Sequence, residues 1–211
     1  MAGLGIGPDE FAIFRIVDPD ERAAALEAAL LPALSRVGDG LVGGLARVAG
    51  MPLAKENGKL QRRKDEAPEE VFVAFAPADR GHAKAPYLAL AASRSHLHAR
   101  VAARPAADRD GAIRRAIARE AANLARKGKP FRKLRSYLEW DHEDLPEIAP
   151  AQSTAFWDEV ADGLAVERNG AGGMDLGIAW PAEEARSLAL GDLLGAFRDL
   201  APLYKLIANA R

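Results

Sequence analysis

Leu26, Leu30, Leu34, Val37, Leu41 and Leu45 recur at spacings of three or four, the stripe of an amphipathic helix. Asp18-Pro19-Asp20-Glu21 precedes them as a helix start, with proline near the first helical position and acids in the first turn. Pro32 should kink or restart this helix, and Gly38 and Gly40 should break it, so the pattern predicts helices over about 20–37 and 39–49. Further upstream, Pro8 and Asp9 suit a helix start or turn, with Phe11, Phe14 and Ile16 as anchors onto a core.

The period then shortens. VFVAFA (71–76), PYLALAA (86–92) and SHLHARVAA (95–103) read as three strands, with a tight turn near Ser93-Arg94. Residues 50–70 before them are polar and read as an irregular connection. A helical pattern returns after Asp108 and Asp110, which can cap a helix to about Lys127 with Ile113, Ile117, Ala121 and Leu124 on its buried stripe. Residues 129–152 read mostly as loop, and Ser153 caps a short helix through Asp162. GLAVER (163–168) and MDLGIAW (174–180) flank Asn169-Gly170-Ala171-Gly172-Gly173 and read as a hairpin. Pro181 starts a helix, and Asp192 caps a last one to about Leu200, interrupted by Pro202. Strands and helices do not alternate regularly, which argues against a doubly wound parallel sheet. The fold class is α+β, a single domain over 1–211 with a predominantly antiparallel sheet covered by helices.

Composition narrows the chemistry. The chain has no cysteine, so disulfides, thiolate catalysis and thiolate metal sites are excluded together. No apolar run is long enough for a membrane span, and MAGLGIGPDEF lacks the features of a signal peptide, so a cytoplasmic protein is expected. The net charge of −1 hides a division: residues 94–135 carry 13 Lys/Arg against 3 Asp/Glu, and residues 139–192 carry 2 against 13. Such asymmetry marks either a surface for an acidic partner or two segments that neutralise each other. Aromatic residues make up only 6% of the chain, which weakens a reading as a single-stranded nucleic-acid binder that works by stacking.

In a strand, alternate residues share a face, so His96, His98 and Arg100 should point one way and Leu97, Ala99 and Val101 the other. The polar trio forms either a solvated sheet face or an anion-attracting one. As a metal site it needs a third ligand, for which His82, Asp141 and His142 are the candidates; no metal or cofactor is expected. The loop PADRGHAKAP (77–86) is longer than a usual hairpin connection and projects Arg80, His82 and Lys84, with Gly81 allowing a sharp turn. Lys59, Arg62, Arg63 and Lys64 add a basic run that could contact phosphate.

Lys59, Arg62, Arg63 and Pro68, then Phe72-Val73-Ala74-Phe75, Arg80-Gly81, Pro86 and His96, resemble the YktB-like family of uncharacterised bacterial proteins. Phe11, Phe14, Ile16 and Arg22 near the start, and Leu200, Pro202, Leu203 and Tyr204 near the end, look similar too. Four positions depart from the family pattern: Leu60, His82 and Tyr87-Leu88 stand where it has a histidine, an aromatic residue and a histidine-aromatic pair. The resemblance implies a single α+β domain and no named substrate.

The expectation is a protein that binds an anionic small molecule, phosphate-bearing or nucleotide-like. Lys59, Arg62, Arg63, Arg80 and His96 would line the site, and His98 and Arg100 would extend it. Two alternatives stand beside it: an enzyme on a phosphorylated substrate with His96 as general acid–base, or a nucleic-acid or protein interaction module built on the basic helix 108–127.

Overall fold

In the computed structural model, residues 3–58, 60, 67–127, 132–133, 153–165 and 173–210 are described. Helix α1 (Pro8–Ala12) runs into a single 3-10 turn, Ile13–Arg15, and anchors the chain through buried Phe11 and Phe14. Asp18 caps α2 (Pro19–Ala25), its side chain accepting from the backbone N–H groups of Asp20 and Glu21 at 3.0 and 2.9 Å. That satisfies two of the N–H groups a helix start leaves without partners.

The expected breaks in the long N-terminal helix do not occur. A π-helical turn, Leu26–Leu30, joins α2 directly to α3 (Leu31–Ala49). Its wider spacing lets the Leu31 N–H reach the Leu26 carbonyl just ahead of Pro32, so the proline ring enters without ending the helix. The glycines serve proximity. A Cβ on Gly38 would lie 2.9 Å from Lys55 Cδ and 3.3 Å from Val73 Cγ2, and one on Gly40 would lie 2.9 Å from Leu190 Cδ1. Both positions are where α3 meets its neighbours closely, and that packing outweighs the low helix propensity of glycine.

Among the described residues six strands form one sheet in the order β1-β2-β3-β4-β6-β5, with every pairing antiparallel. The ranges are β1 Ala54–Asn57, β2 Glu70–Ala76, β3 Tyr87–Ser93, β4 His96–Ala103, β5 Arg132–Lys133 and β6 Met174–Pro181. The β2-β3-β4 meander agrees with the alternation in the sequence. Two differences stand out. β1 falls inside the stretch read as irregular: Ala-Lys-Glu-Asn has no apolar alternation, and it is a strand because β2 supplies an edge to pair with. The 163–168 hairpin arm does not form as expected. Gly163 is the end of α5 (Thr154–Gly163), Leu164 and Ala165 form a turn, and β6 inserts between β4 and β5. The remainder of that arm lies outside the described residues.

Asp108 and Asp110 cap α4 (Ala112–Lys127), accepting from Ile113 N at 2.7 Å and Ala112 N at 3.1 Å. A short α6 (Ala182–Ala185) follows β6, and α7 (Leu190–Ala208) continues through Pro202, its last turns held by buried Leu203, Tyr204 and Ile207. The main core joins one sheet face (Val71, Val73, Phe75, Leu88, Leu90, Leu97, Val101) to Leu34, Leu41, Leu45, Phe197 and Leu200 of α3 and α7. A second, smaller cluster of Phe72, Ala74, Ala76, Tyr87, Ala89 and Ala102 lies on the opposite face and contains strand residues only. The architecture is α+β. No helix among the described residues is long and apolar enough to cross a membrane.

Candidate functional site

β4 does place His96, His98 and Arg100 on one face, but at His98 and Arg100 that face is neither solvated nor open to anions. The exposures of the three are 3%, 0% and 1%. An ionised side chain at such depth needs partners. Arg100 has them: its guanidinium reaches across β3 to grip Glu70 of β2 with two bonds, at 2.5 and 2.6 Å, and its Nε lies 3.4 Å from Asp175 Oδ1 of β6. Arg104 donates to the other oxygen of Asp175 at 2.7 Å. Burial works against the charge on Arg100, but Glu70 and Asp175 outweigh it and hold the group protonated. Gly177, opposite Arg100 on β6, makes room for this arrangement; a Cβ there would sit 2.2 Å from Ala99 O and 2.8 Å from Arg100 Cβ.

Two aromatic rings floor the network, Phe72 5.6 Å from the Arg100 guanidinium and Tyr87 5.8 Å from that of Arg104. Burial pushes the Tyr87 phenol up to about 12, with Arg104 pulling the other way. The His98 Nε2 and the Ser93 hydroxyl are 2.9 Å apart. Burial first, then the nearby Arg100 and His96, lower the His98 imidazole well below its usual range, so it is neutral. Arg100 and His98 are therefore corrected from extensions of an anion site to parts of a closed interior network.

His96 differs because it starts the strand. At that end of the sheet lies a cleft of about 480 Å³, within the range of small-molecule sites. The N-terminal segment supplies one wall through Phe11, Ala12 and Arg15. The β3–β4 turn supplies Arg94, Ser95 and His96, and the β6–α6 junction supplies Pro181, Ala182 and Glu183. The Ser95 hydroxyl lies 2.7 Å from His96 Nδ1, which fixes the ring, and the Ala182 N–H donates to the Ser95 carbonyl at 2.8 Å, which ties the junction to the turn.

The other predicted residues do not gather here. Arg80 lies in the 77–86 loop with its side chain 53% exposed and 3.8 Å from Asp79. That loop enters β3 at the end away from Arg94, so the seven-residue strand separates Arg80 from His96 by roughly 20 Å. Gly81 takes the expected left-handed turn, with φ +68°. His82 bonds Glu56 of β1 through Nδ1 at 2.7 Å and packs edge-on against Phe72 and Tyr87. Lys59, Arg62 and Arg63 lie outside the described residues, as do Asp141 and His142. Among the described residues no group of three His, Asp or Glu side chains could hold a metal ion.

On α4, Arg115, Arg119 and Arg126 are exposed, whereas Arg114 is held by Asp108 at 2.8 Å. The basic and acidic stretches meet where Arg100 and Arg104 engage Asp175. Arg15 and Glu183 carried no signal in the sequence, because their place in the cleft depends on segments far apart in the chain.

The chain belongs to the family described as a domain of unknown function (DUF1054), which it matches over residues 7–204. Comparison with curated proteins gives no match.

Proposed function

We propose that this protein, a YktB-like member of its family acting in the cytoplasm, binds a small anionic ligand in the cleft beside His96. The observation that carries this reading is the meeting of two arginines from separate segments, Arg15 and Arg94, with a hydroxyl and an imidazole in one small-molecule-sized cleft. Guanidinium groups fork onto carboxylate or phosphate oxygens, and Ser95 and His96 add further hydrogen-bonding groups. Titration with inorganic phosphate and alkyl phosphates, followed by NMR shifts of the His96 ring, tests it. Binding should weaken about tenfold, or about 1.4 kcal/mol, in Arg15→Gln. If no anion binds, or if Arg15→Gln and Arg94→Gln leave binding unchanged, the reading is wrong.

A second reading is favoured by the 2.7 Å contact between Ser95 and His96. A hydroxyl that orients an imidazole is one way to set up a general acid–base, here on a phosphorylated substrate. Turnover of a phosphate ester that disappears in folded His96→Asn would distinguish catalysis from binding alone; turnover that survives would remove this reading.

A further inference from the structure

Arg15 and Glu183 line the same cleft from different walls, Arg15 from the segment after α1 and Glu183 from α6. Glu183 is exposed and makes no hydrogen bond or ion pair among the described residues. Arg15 is likewise exposed and without an ion-pair partner among them. Elsewhere in the fold opposite charges meet and cancel, as Lys55 and Asp39 do at 2.5 Å and Arg104 and Asp175 do at 2.7 Å. In the cleft they do not. Glu183 thus lines the cleft with a carboxylate that no arginine among the described residues neutralises.

That arrangement is poorly suited to a plain anion. A phosphate or carboxylate seated on Arg15 and Arg94 would share the cleft with the Glu183 carboxylate, which repels it and gains nothing from its presence. A ligand with a positive group beside its negative one turns Glu183 from an opponent into a partner. Building on the anion-binding reading, we propose that the cleft selects an amine-bearing anion: a small amphoteric molecule whose phosphate or carboxylate sits toward Arg15 and Arg94 and whose ammonium group sits toward Glu183. Glu183 is then the specificity-determining residue, and Arg15 sets overall affinity.

The test is a matched pair of probes, O-phosphoethanolamine and n-propyl phosphate. They have nearly the same size and differ in ammonium against methyl. Calorimetric titrations at about pH 8 keep both phosphates doubly charged. Because Glu183 is exposed, the ammonium should gain roughly threefold to fivefold in affinity over the methyl, the scale of a solvent-accessible ion pair. In Glu183→Gln the ratio should fall to about one, through weaker binding of O-phosphoethanolamine alone. In Arg15→Gln both probes should weaken together with their ratio kept. Equal binding of the two probes to the unaltered protein overturns the amine preference and leaves anion binding standing. A preference that survives Glu183→Gln assigns the ammonium to another group and overturns the role of Glu183. If neither probe binds, both the preference and the anion-binding reading fall.

Discussion

His96 and Arg100 stand four residues apart on one strand and on the same sheet face, yet they have opposite situations. Arg100 lies mid-strand, enclosed, with Glu70 and Asp175 answering its charge. His96 begins the strand and borders an open cleft in which Arg15 and Glu183 are left unmatched by each other. The lesson is about position along a strand. In the middle of a sheet, neighbouring strands on both sides enclose a side chain, and a charge there must find its partners within the protein. At a strand end, the connections set the surroundings, and space for a ligand can remain.

The largest effect that should separate the two regions comes from Arg100→Leu. It leaves Glu70 and Asp175 buried without the guanidinium, and denaturant unfolding should show a loss of about 3–5 kcal/mol. Arg15→Gln, at the cleft, should move stability by no more than about 0.5 kcal/mol while weakening anion binding. Equal stability losses at the two sites would erase the distinction.

Alkaline pH sharpens the contrast next. The Tyr87 phenol rises from 10.0 to about 12 on folding, so the folded state keeps a proton that the unfolded chain releases. Its contribution is complete below about pH 10 and is lost as pH climbs toward 12, a total on the order of 3 kcal/mol. Tyr87→Phe should flatten the stability curve in that window. Its cost at neutral pH should be small, because the hydroxyl has no hydrogen-bond partner among the described residues.

Acid pH acts through His98. Its folded value lies well below the usual 6.5, so the unfolded chain binds a proton that the native one refuses. Stability is full above about pH 6.5 and should fall below it, with a slope of up to about 1.4 kcal/mol per unit. His98→Gln should reduce that slope in pH-dependent unfolding. An unchanged slope would mean that His98 takes up a proton in the native state and that the interior network is looser than the geometry shows.

The smallest effect concerns the basic helix. Changing Arg115, Arg119 and Arg126 of α4 to glutamine should leave stability within about 0.5 kcal/mol and leave cleft binding unchanged. A strongly salt-dependent association with nucleic acid, lost in that variant, would instead place function on α4 and away from the cleft.

Sequence alone settled what depends on neighbours a few residues away. Asp18, Asp108 and Asp110 cap helices because each carboxylate reaches backbone N–H groups within the next turns. The strands read over 71–76, 86–92 and 95–103 set the meander and put His96, His98 and Arg100 on one face, since a strand has a period of two. The continuous α2–α3 helix required tertiary structure: Gly38 and Gly40 look like breaks until Lys55, Val73 and Leu190 are seen packed against them. So did β1, which has no pattern of its own, and the place of β6 between β4 and β5. Above all, only the fold could decide that Arg100 is a structural ion and that His96 borders a cleft. Burial and ion pairing are set by residues remote in the chain, Glu70 and Asp175 in one case and Arg15 and Glu183 in the other, and no local spacing encodes which of them will meet.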